Sequence, residues 1–148
     1  MRPRLALALV LALGLGCAKA PASASLTPVV TDSVEDQGAT FGVEVGWRSV
    51  SPQEVEVIAR MTARGIEQTD KLVLDVSTHG FVIADGTTEW TGFIQPRESY
   101  RHAVSFKMLD GDESGRVTLT LRRSMDGTML WETELLFSRD GGSVKLAG

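Results

Sequence analysis

Residues 41–137 alternate between apolar and polar side chains with a period of two. In the first run the apolar positions are Phe41, Val43, Val45 and Trp47. Successive side chains of a β-strand point to opposite faces, so this rhythm predicts a half-buried strand. Further predicted strands fall at 71–77, 80–84, 88–94, 100–108, 116–124 and 129–137.

The segment 51–65 is compatible with two structures. Its first residues, SPQE at 51–54, form a capping box with proline at the first helical position, and Gly65 could end a helix. The following apolar residues nevertheless recur at every second position, and only Ile58 breaks that rhythm. We therefore predict a strand here, with a helix as the alternative.

Turn signals separate these runs at intervals of about 8–12 residues, as expected for an antiparallel sandwich. The strongest is Asp126-Gly127, because both central positions of a two-residue hairpin favour positive φ. The pattern predicts an all-β protein: an antiparallel β-sandwich of seven or eight strands over residues 41–137.

The segment GFVIADGTTEWTGFIQPRES resembles one that recurs in bacterial immunoglobulin-like and ear-like domains. The matching residues are Gly86, Trp90, Gly92 and Pro96. The resemblance covers about 20 residues and lacks the cysteine pair that joins the sheets of antibody domains. It implies an immunoglobulin-like sandwich and carries no information about activity.

The amino-terminal segment predicts export. Arg2 and Arg4 precede the apolar run 5–15, which at 11 residues is shorter than the roughly 20 needed to span a bilayer. We therefore expect residues 1–16 to be a cleaved signal peptide.

The end of that segment, GLGC at 14–17, resembles a bacterial lipoprotein signal. Gly16 and Cys17 match the family pattern, whereas the two residues before them depart from its favoured types. The resemblance implies that Cys17 carries the lipid and becomes the first residue. Because Ala18 stands where aspartate often signals retention in the inner membrane, it also implies the outer membrane, facing the periplasm. The alternative is a secreted or periplasmic protein cut after Ala24.

Residues 17–40 are rich in Ala, Ser, Thr and Pro, which is typical of a flexible tether, although Val29 and Val30 could form an edge strand. Residues 138–148 are predicted to be a carboxyl-terminal tail. The domain organisation is thus a signal peptide, a tether, one sandwich and a tail.

Charge excludes some partners. Without residues 1–16 the chain has 13 basic and 19 acidic residues, a net charge of −6. Its basic residues are scattered singly or in pairs such as Arg122-Arg123 and indicate no basic stripe. We therefore expect no nucleic-acid partner.

Candidate chemistry is sparse. The only histidines are His79 and His102, which would need nearby carboxylates to form a metal site. Ser77 and Thr78 precede His79, but neighbouring strand residues point apart, so they predict no activated nucleophile. Trp47, Trp90 and Trp131 fall mainly on the apolar phase of their strands and are expected in the core.

The loop containing Asp110, Asp112 and Glu113 could hold calcium, although acidic residues are also ordinary turn formers. We expect no catalytic, cofactor or metal site. The predicted role is a non-catalytic interaction or structural module that contacts another envelope protein. The alternative is a calcium- or carbohydrate-binding protein, or an accessory subunit of an envelope enzyme.

Overall fold

The computed structural model describes residues 25–65 and 70–148, and their regular structure is entirely β. The predicted all-β class is confirmed, and 51–65 contributes a strand rather than a helix. The ten strands are β1 (Thr27–Asp36), β2 (Ala39–Ser51), β3 (Glu54–Gly65), β4 (Leu72–His79), β5 (Phe81–Asp85), β6 (Glu89–Gly92), β7 (Ser99–Met108), β8 (Ser114–Arg123), β9 (Met129–Asp140) and β10 (Ser143–Leu146).

The strands form two antiparallel sheets of five strands each, which confirms the predicted sandwich. Sheet A has the order β1-β2-β3-β7-β5 and sheet B the order β10-β9-β8-β4-β6. The chain crosses between the sheets after each strand from β3 to β7. Consecutive strands therefore often lie in different layers, and both layers bury their apolar phase against each other.

The structure corrects the predicted tether and tail. β1 lies inside the segment predicted as a tether and pairs with β2 from Thr27 opposite Trp47 to Asp36 opposite Ala39. β9 and β10 likewise occupy most of the predicted tail. Both added strands lie at sheet edges and bury few side chains, so their apolar rhythm is weak. Residues 17–24 of the predicted tether lie outside the described residues.

The hairpin turns also differ from expectation. The two-residue turn with positive φ at both positions joins β1 to β2 through Gln37 and Gly38 (φ 52° and 84°). At the predicted turn only Gly127 has positive φ, and residues 124–128 form a longer loop between β8 and β9. Asp126 instead accepts a hydrogen bond from the Thr128 amide at 3.0 Å.

The core lies between the sheets. Phe81 packs edge-on against Phe106 and Phe137, with ring centroids 6.1 and 5.6 Å apart. Trp131 is 8% exposed, and the half-buried Trp47 and Trp90 pack against the core, as expected. Other fully buried side chains include Phe41, Met61, Leu72, Leu74, Ile94, Met108, Leu119, Leu121 and Leu135.

Polar contacts fasten the two layers at both ends. On β1, Asp32 accepts a hydrogen bond from Trp131 Nε1 at 3.0 Å, and Asp36 pairs with Arg123 Nε at 3.0 Å. At the other end Arg139 donates to the carbonyl oxygens of Asp112 and Leu109 and to the side chain of Gln53. These contacts hold strand β1 and loops of sheet A against sheet B.

Gly80 lets the chain leave sheet B and enter sheet A. Its φ is +77°, and a Cβ atom there would lie 2.7 Å from the carbonyl oxygen of Ser114. Glycine is the residue that adopts this conformation without a side-chain clash. The short connection between β4 and β5 therefore depends on it.

Candidate functional site

The structure does not bring the two histidines together. His79 is exposed at the end of β4 in sheet B, whereas His102 is half-buried on β7 in sheet A. His102 Nε2 lies 2.8 Å from the Thr87 carbonyl oxygen, which can only accept, so Nε2 carries the proton. Within residues 25–65 and 70–148, no group of three or more His, Cys, Asp or Glu side chains is placed to hold a metal ion.

Two residues considered above as candidate site residues, Asp112 and Thr78, make hydrogen bonds that support the fold. The carbonyl oxygen of Asp112 accepts a 2.6 Å hydrogen bond from Arg139, which ties the loop with Asp110 and Glu113 to β9. The hydroxyl of Thr78 donates to the Phe81 carbonyl oxygen at 3.5 Å, across the bend between β4 and β5. Cys17, the predicted lipidation site, lies outside the described residues.

The outward face of sheet A carries the most distinctive surface of the described chain. Along β2 the outward positions include Gly42, Glu44 and Gly46, so side chains from both neighbouring strands lean over the backbone. A Cβ atom on Gly46 would lie 2.8 Å from Leu26 Cγ, and one on Gly42 would lie 2.6 Å from Thr62 Oγ1. The glycines therefore create a trough along β2.

An apolar pocket lies at one end of this trough. It has a volume of about 230 Å³, and its apolar lining includes Leu26, Pro28 and Ile58. Ile58 is only 6% exposed although it points away from the core, and it lies between Gly46 on β2 and Ala103 on β7. The residue that breaks the alternation of β3 thus forms part of this outer pocket.

Two arginines border the pocket on the side opposite Leu26. Arg60 on β3 lies directly opposite Arg101 on β7, and their side chains are 56% and 50% exposed. Like charges in directly opposed positions destabilise a sheet by roughly 0.2–1 kcal/mol. The sheet therefore carries a local electrostatic penalty at this pair.

Nearby carboxylates relieve that repulsion only partly. Arg60 Nη1 is 3.9 Å from Glu44, and Arg101 Nη2 is 3.9 Å from Glu56. Glu56 is closer to a third arginine, Arg48, at 2.5 Å. Within the described chain, both members of the opposed pair therefore have only long ion pairs.

Two more arginines extend the basic surface. Arg64 and Arg97 line a depression of about 530 Å³, together with Thr62 and Ser99, which face each other on β3 and β7. Neither arginine forms an ion pair with another residue of the described ranges. We call Arg60, Arg64, Arg97 and Arg101 the arginine face.

Arg97 has an unfavourable backbone conformation. Its φ is +69°, and it is the third residue of a turn closed by the Glu98 amide and the Gln95 carbonyl oxygen at 3.1 Å. Glycine is favoured at such a position, and a side chain there costs roughly 1–2 kcal/mol. Glu98 accepts a 2.8 Å hydrogen bond from Tyr100, which raises the pKa of that phenol.

The arginine face groups basic side chains that stand singly in the sequence, with Glu44 and Glu56 among them. Its members come from two segments far apart in the chain, and only the pairing of β3 with β7 brings them together. One signal was present: Arg60 and Arg64 on β3 are four residues apart, which places them on the same face of that strand, whereas Arg97 lies in the turn before β7. Their exposure and the pairing of non-consecutive strands were not visible in the pattern.

The outward face of sheet B differs because its charges are paired. Arg122 lies 2.6 Å from Asp75, and Arg116 lies 3.5 Å from Glu134. The Asp75 carboxylate accepts a hydrogen bond from Arg122 and raises the pKa of that guanidinium. Arg60 and Arg101, each 3.9 Å from a carboxylate, thus have longer ion pairs than Arg122 with Asp75 or Arg116 with Glu134.

Comparison with known proteins gives no family assignment. Neither a protein-family model nor a curated protein sequence matches the chain. In the part of the chain that the structure describes, no helix has the length and apolar character needed to cross a bilayer.

Proposed function

We propose that this protein is an exported lipoprotein of the cell envelope, whose immunoglobulin-like sandwich is a non-catalytic interaction module. The observation that carries the interaction role is the opposed pair Arg60 and Arg101, exposed beside an apolar pocket. A sheet retains such a like-charge pair at a loss of stability, and an anionic partner would neutralise it. A spacer domain has no need of it.

The amino-terminal sequence signals support the proposed location at the membrane. The predicted signal peptide ends at Gly16, which leaves Cys17 as the first residue, and the first strand begins at Thr27. Ten extended residues span at most about 36 Å, so an acylated Cys17 would keep the sandwich close to the membrane surface. Thr27 lies at one end of sheet A, opposite Trp47, and Arg64 and Arg97 lie toward the other end.

The anchor is tested by fractionating cells that express the wild type, Cys17→Ser or the neighbouring control Ala18→Ser. We expect the wild type and the control to sediment with outer membranes and to incorporate a labelled fatty acid. Cys17→Ser should lose the label because it has no thiol to acylate. Equal labelling of all three proteins would refute lipidation at Cys17.

The interaction role is tested by photo-cross-linking in cells. A photoreactive residue replaces Thr62, which lies between the arginines, or Thr118 on the outward face of sheet B. We expect a discrete protein adduct at position 62, lost in Arg60→Gln/Arg101→Gln, and none at position 118. Absence of an adduct at position 62 would contradict an interaction through this face.

A further inference from the structure

We propose that the arginine face and its pocket bind an extended acidic segment of a partner protein, with one aliphatic side chain as anchor. This inference rests on the proposed interaction role and is independent of the lipid anchor. The shape of the pocket, the spacing of the arginines and the acids between them define the chemistry of the partner.

The pocket fits an aliphatic side chain. Its volume of about 230 Å³ is open to solvent, and its floor combines Ile58 with the backbone at Gly46. None of the described residues that line it is aromatic, so it offers no platform for stacking a sugar ring. Arg60, Arg101 and Glu44 line the same pocket, so an apolar group bound there would have two guanidinium groups and one carboxylate beside it.

The spacing along β3 sets the pattern of the ligand. Arg60 is two residues beyond Ile58, about 7 Å along the strand, and Arg64 is four residues further, about 13 Å. An extended peptide lying along β3 has the same rise per residue. It would place an apolar residue in the pocket, a carboxylate at the opposed pair two positions on, and another at Arg64 and Arg97 four positions later.

Charge favours a peptide over a uniformly anionic surface. Glu44 and Glu56 lie among the arginines on the same face, within 4 Å of Arg60 and Arg101. A membrane of anionic lipids or a densely charged polysaccharide would bring negative charge against these acids as well. A peptide with separate carboxylates can pair with the arginines and leave neutral residues opposite the acids. Hydroxyls at Thr62 and Ser99 can bond its backbone.

The probe is a fluorescent peptide, acetyl-Ser-Leu-Thr-Glu-Ser-Thr-Ser-Glu-Ser-amide, titrated with the detergent-purified full-length protein and followed by anisotropy. We expect Arg60→Gln/Arg101→Gln to weaken binding about tenfold or more, because both arginines that would pair with the peptide carboxylate beside the pocket are lost. The matched control Arg116→Gln/Lys145→Gln removes the same charge from sheet B and should change affinity less than about twofold. Replacing both glutamates of the peptide by glutamine should weaken binding as much as the first variant.

A second variant separates binding from folding. Arg97→Gly removes a guanidinium from a position whose φ of +69° suits glycine. It should keep or slightly raise the unfolding temperature while it weakens peptide binding about threefold. A purely structural arginine would leave peptide affinity unchanged.

Several results would overturn the inference. It fails if the peptide does not bind, if the arginine variants bind it as well as the wild type, or if Arg97→Gly leaves affinity unchanged. It also fails if dextran sulfate or phosphatidylglycerol vesicles bind through Arg60 and Arg101 while the peptide does not. A protein adduct at position 62 together with any of these results would reject the ligand chemistry and leave the interaction role intact.

Discussion

Trp47 and Trp131 pack against the same core but differ in how the indole N–H is satisfied. Trp131 donates to Asp32 at 3.0 Å, whereas Trp47 Nε1 is buried without a hydrogen-bond acceptor among the described residues. The ring of Trp47 instead packs edge-on against Phe137, with centroids 5.6 Å apart. Packing of the ring alone holds Trp47 in position, whereas Trp131 is also held by a hydrogen bond between the sheets.

Trp47→Phe and Trp131→Phe form a matched pair of substitutions. Both lose similar volume, but only the second removes a hydrogen bond to a carboxylate, and only the first removes a buried unsatisfied donor. We expect Trp131→Phe to reduce the free energy of unfolding by about 1–2 kcal/mol more than Trp47→Phe. Urea unfolding measures this difference, and equal losses would show that the contact with Asp32 contributes nothing.

Asp126 gives the loop between β8 and β9 a dependence on pH. Hydrogen bonds from Thr128 and the charge of Arg123, whose Nη1 is 2.6 Å away, lower the pKa of the Asp126 carboxyl. A carboxyl whose pKa is lower in the folded state stabilises the fold above its unfolded pKa, near 4. That stabilisation is lost as the pH falls through the folded value.

We therefore expect wild type to unfold at a higher temperature than Asp126→Asn at pH 7, because the variant lacks the charge. The difference should disappear as the pH falls below about 4. Thermal unfolding across this range measures it, and carbon NMR titration of the Asp126 carboxyl gives the pKa directly. A difference that persists undiminished in strong acid would exclude the carboxylate as its source.

At the scale of the strands, the connection from β4 to β5 depends on Gly80. Gly80 and Gly111 both have positive φ, 77° and 88°, but a Cβ atom would meet Ser114 only at Gly80 and nothing within 4 Å at Gly111. Alanine at either position should incur a backbone penalty of about 1–2 kcal/mol. Gly80→Ala should lower the free energy of unfolding by roughly a further 2 kcal/mol because the neighbouring strand must move.

Chemical denaturation of both alanine variants measures the two contributions, with Gly111→Ala as the control for backbone conformation alone. Similar losses of unfolding free energy in the two variants would mean that β8 can shift away and that the bend tolerates a side chain. A larger loss of unfolding free energy in Gly80→Ala would show that the backbone at this bend cannot move to accommodate a side chain.

The clearest strand predictions came from strands that bury every second residue. β2, β8 and β9 follow that rhythm closely, and β3 shows it except at Ile58. β1 was not predicted as part of the domain because only Val30 and Val34 of its side chains pack against the core. A strand that is held mainly by backbone pairing and by Asp32 and Asp36 leaves little apolar pattern in the sequence.

The candidate site was beyond sequence reasoning for a different reason. The pattern shows which way a side chain points, but it does not show that β7 lies beside β3 or in what register. Arg60 and Arg101 become neighbours only through that pairing. Ile58, which the rhythm marked as irregular, was the one visible sign that the outward face of β3 is not an ordinary solvated surface.

At the scale of the whole molecule, charge is unevenly distributed. The chain without residues 1–16 has a net charge of −6, and the four arginines of the arginine face lie on one side of sheet A with Glu44, Glu56 and Glu98 close by. Such an arrangement attracts an anion whose charges match the spacing of the arginines. It would contribute selectivity and orientation to an encounter more than affinity.

The contacts that fasten β1 join residues far apart in the chain. Asp32 and Trp131 are 99 residues apart, and Asp36 and Arg123 are 87 apart. Folds that depend on contacts between residues far apart in the chain form slowly, because closing a long loop costs entropy before the contact is made. In the proposed export, a polypeptide that crosses a membrane amino end first could not close its sandwich until its final third had emerged. The same bonds that secure the mature domain would thus leave it open during translocation.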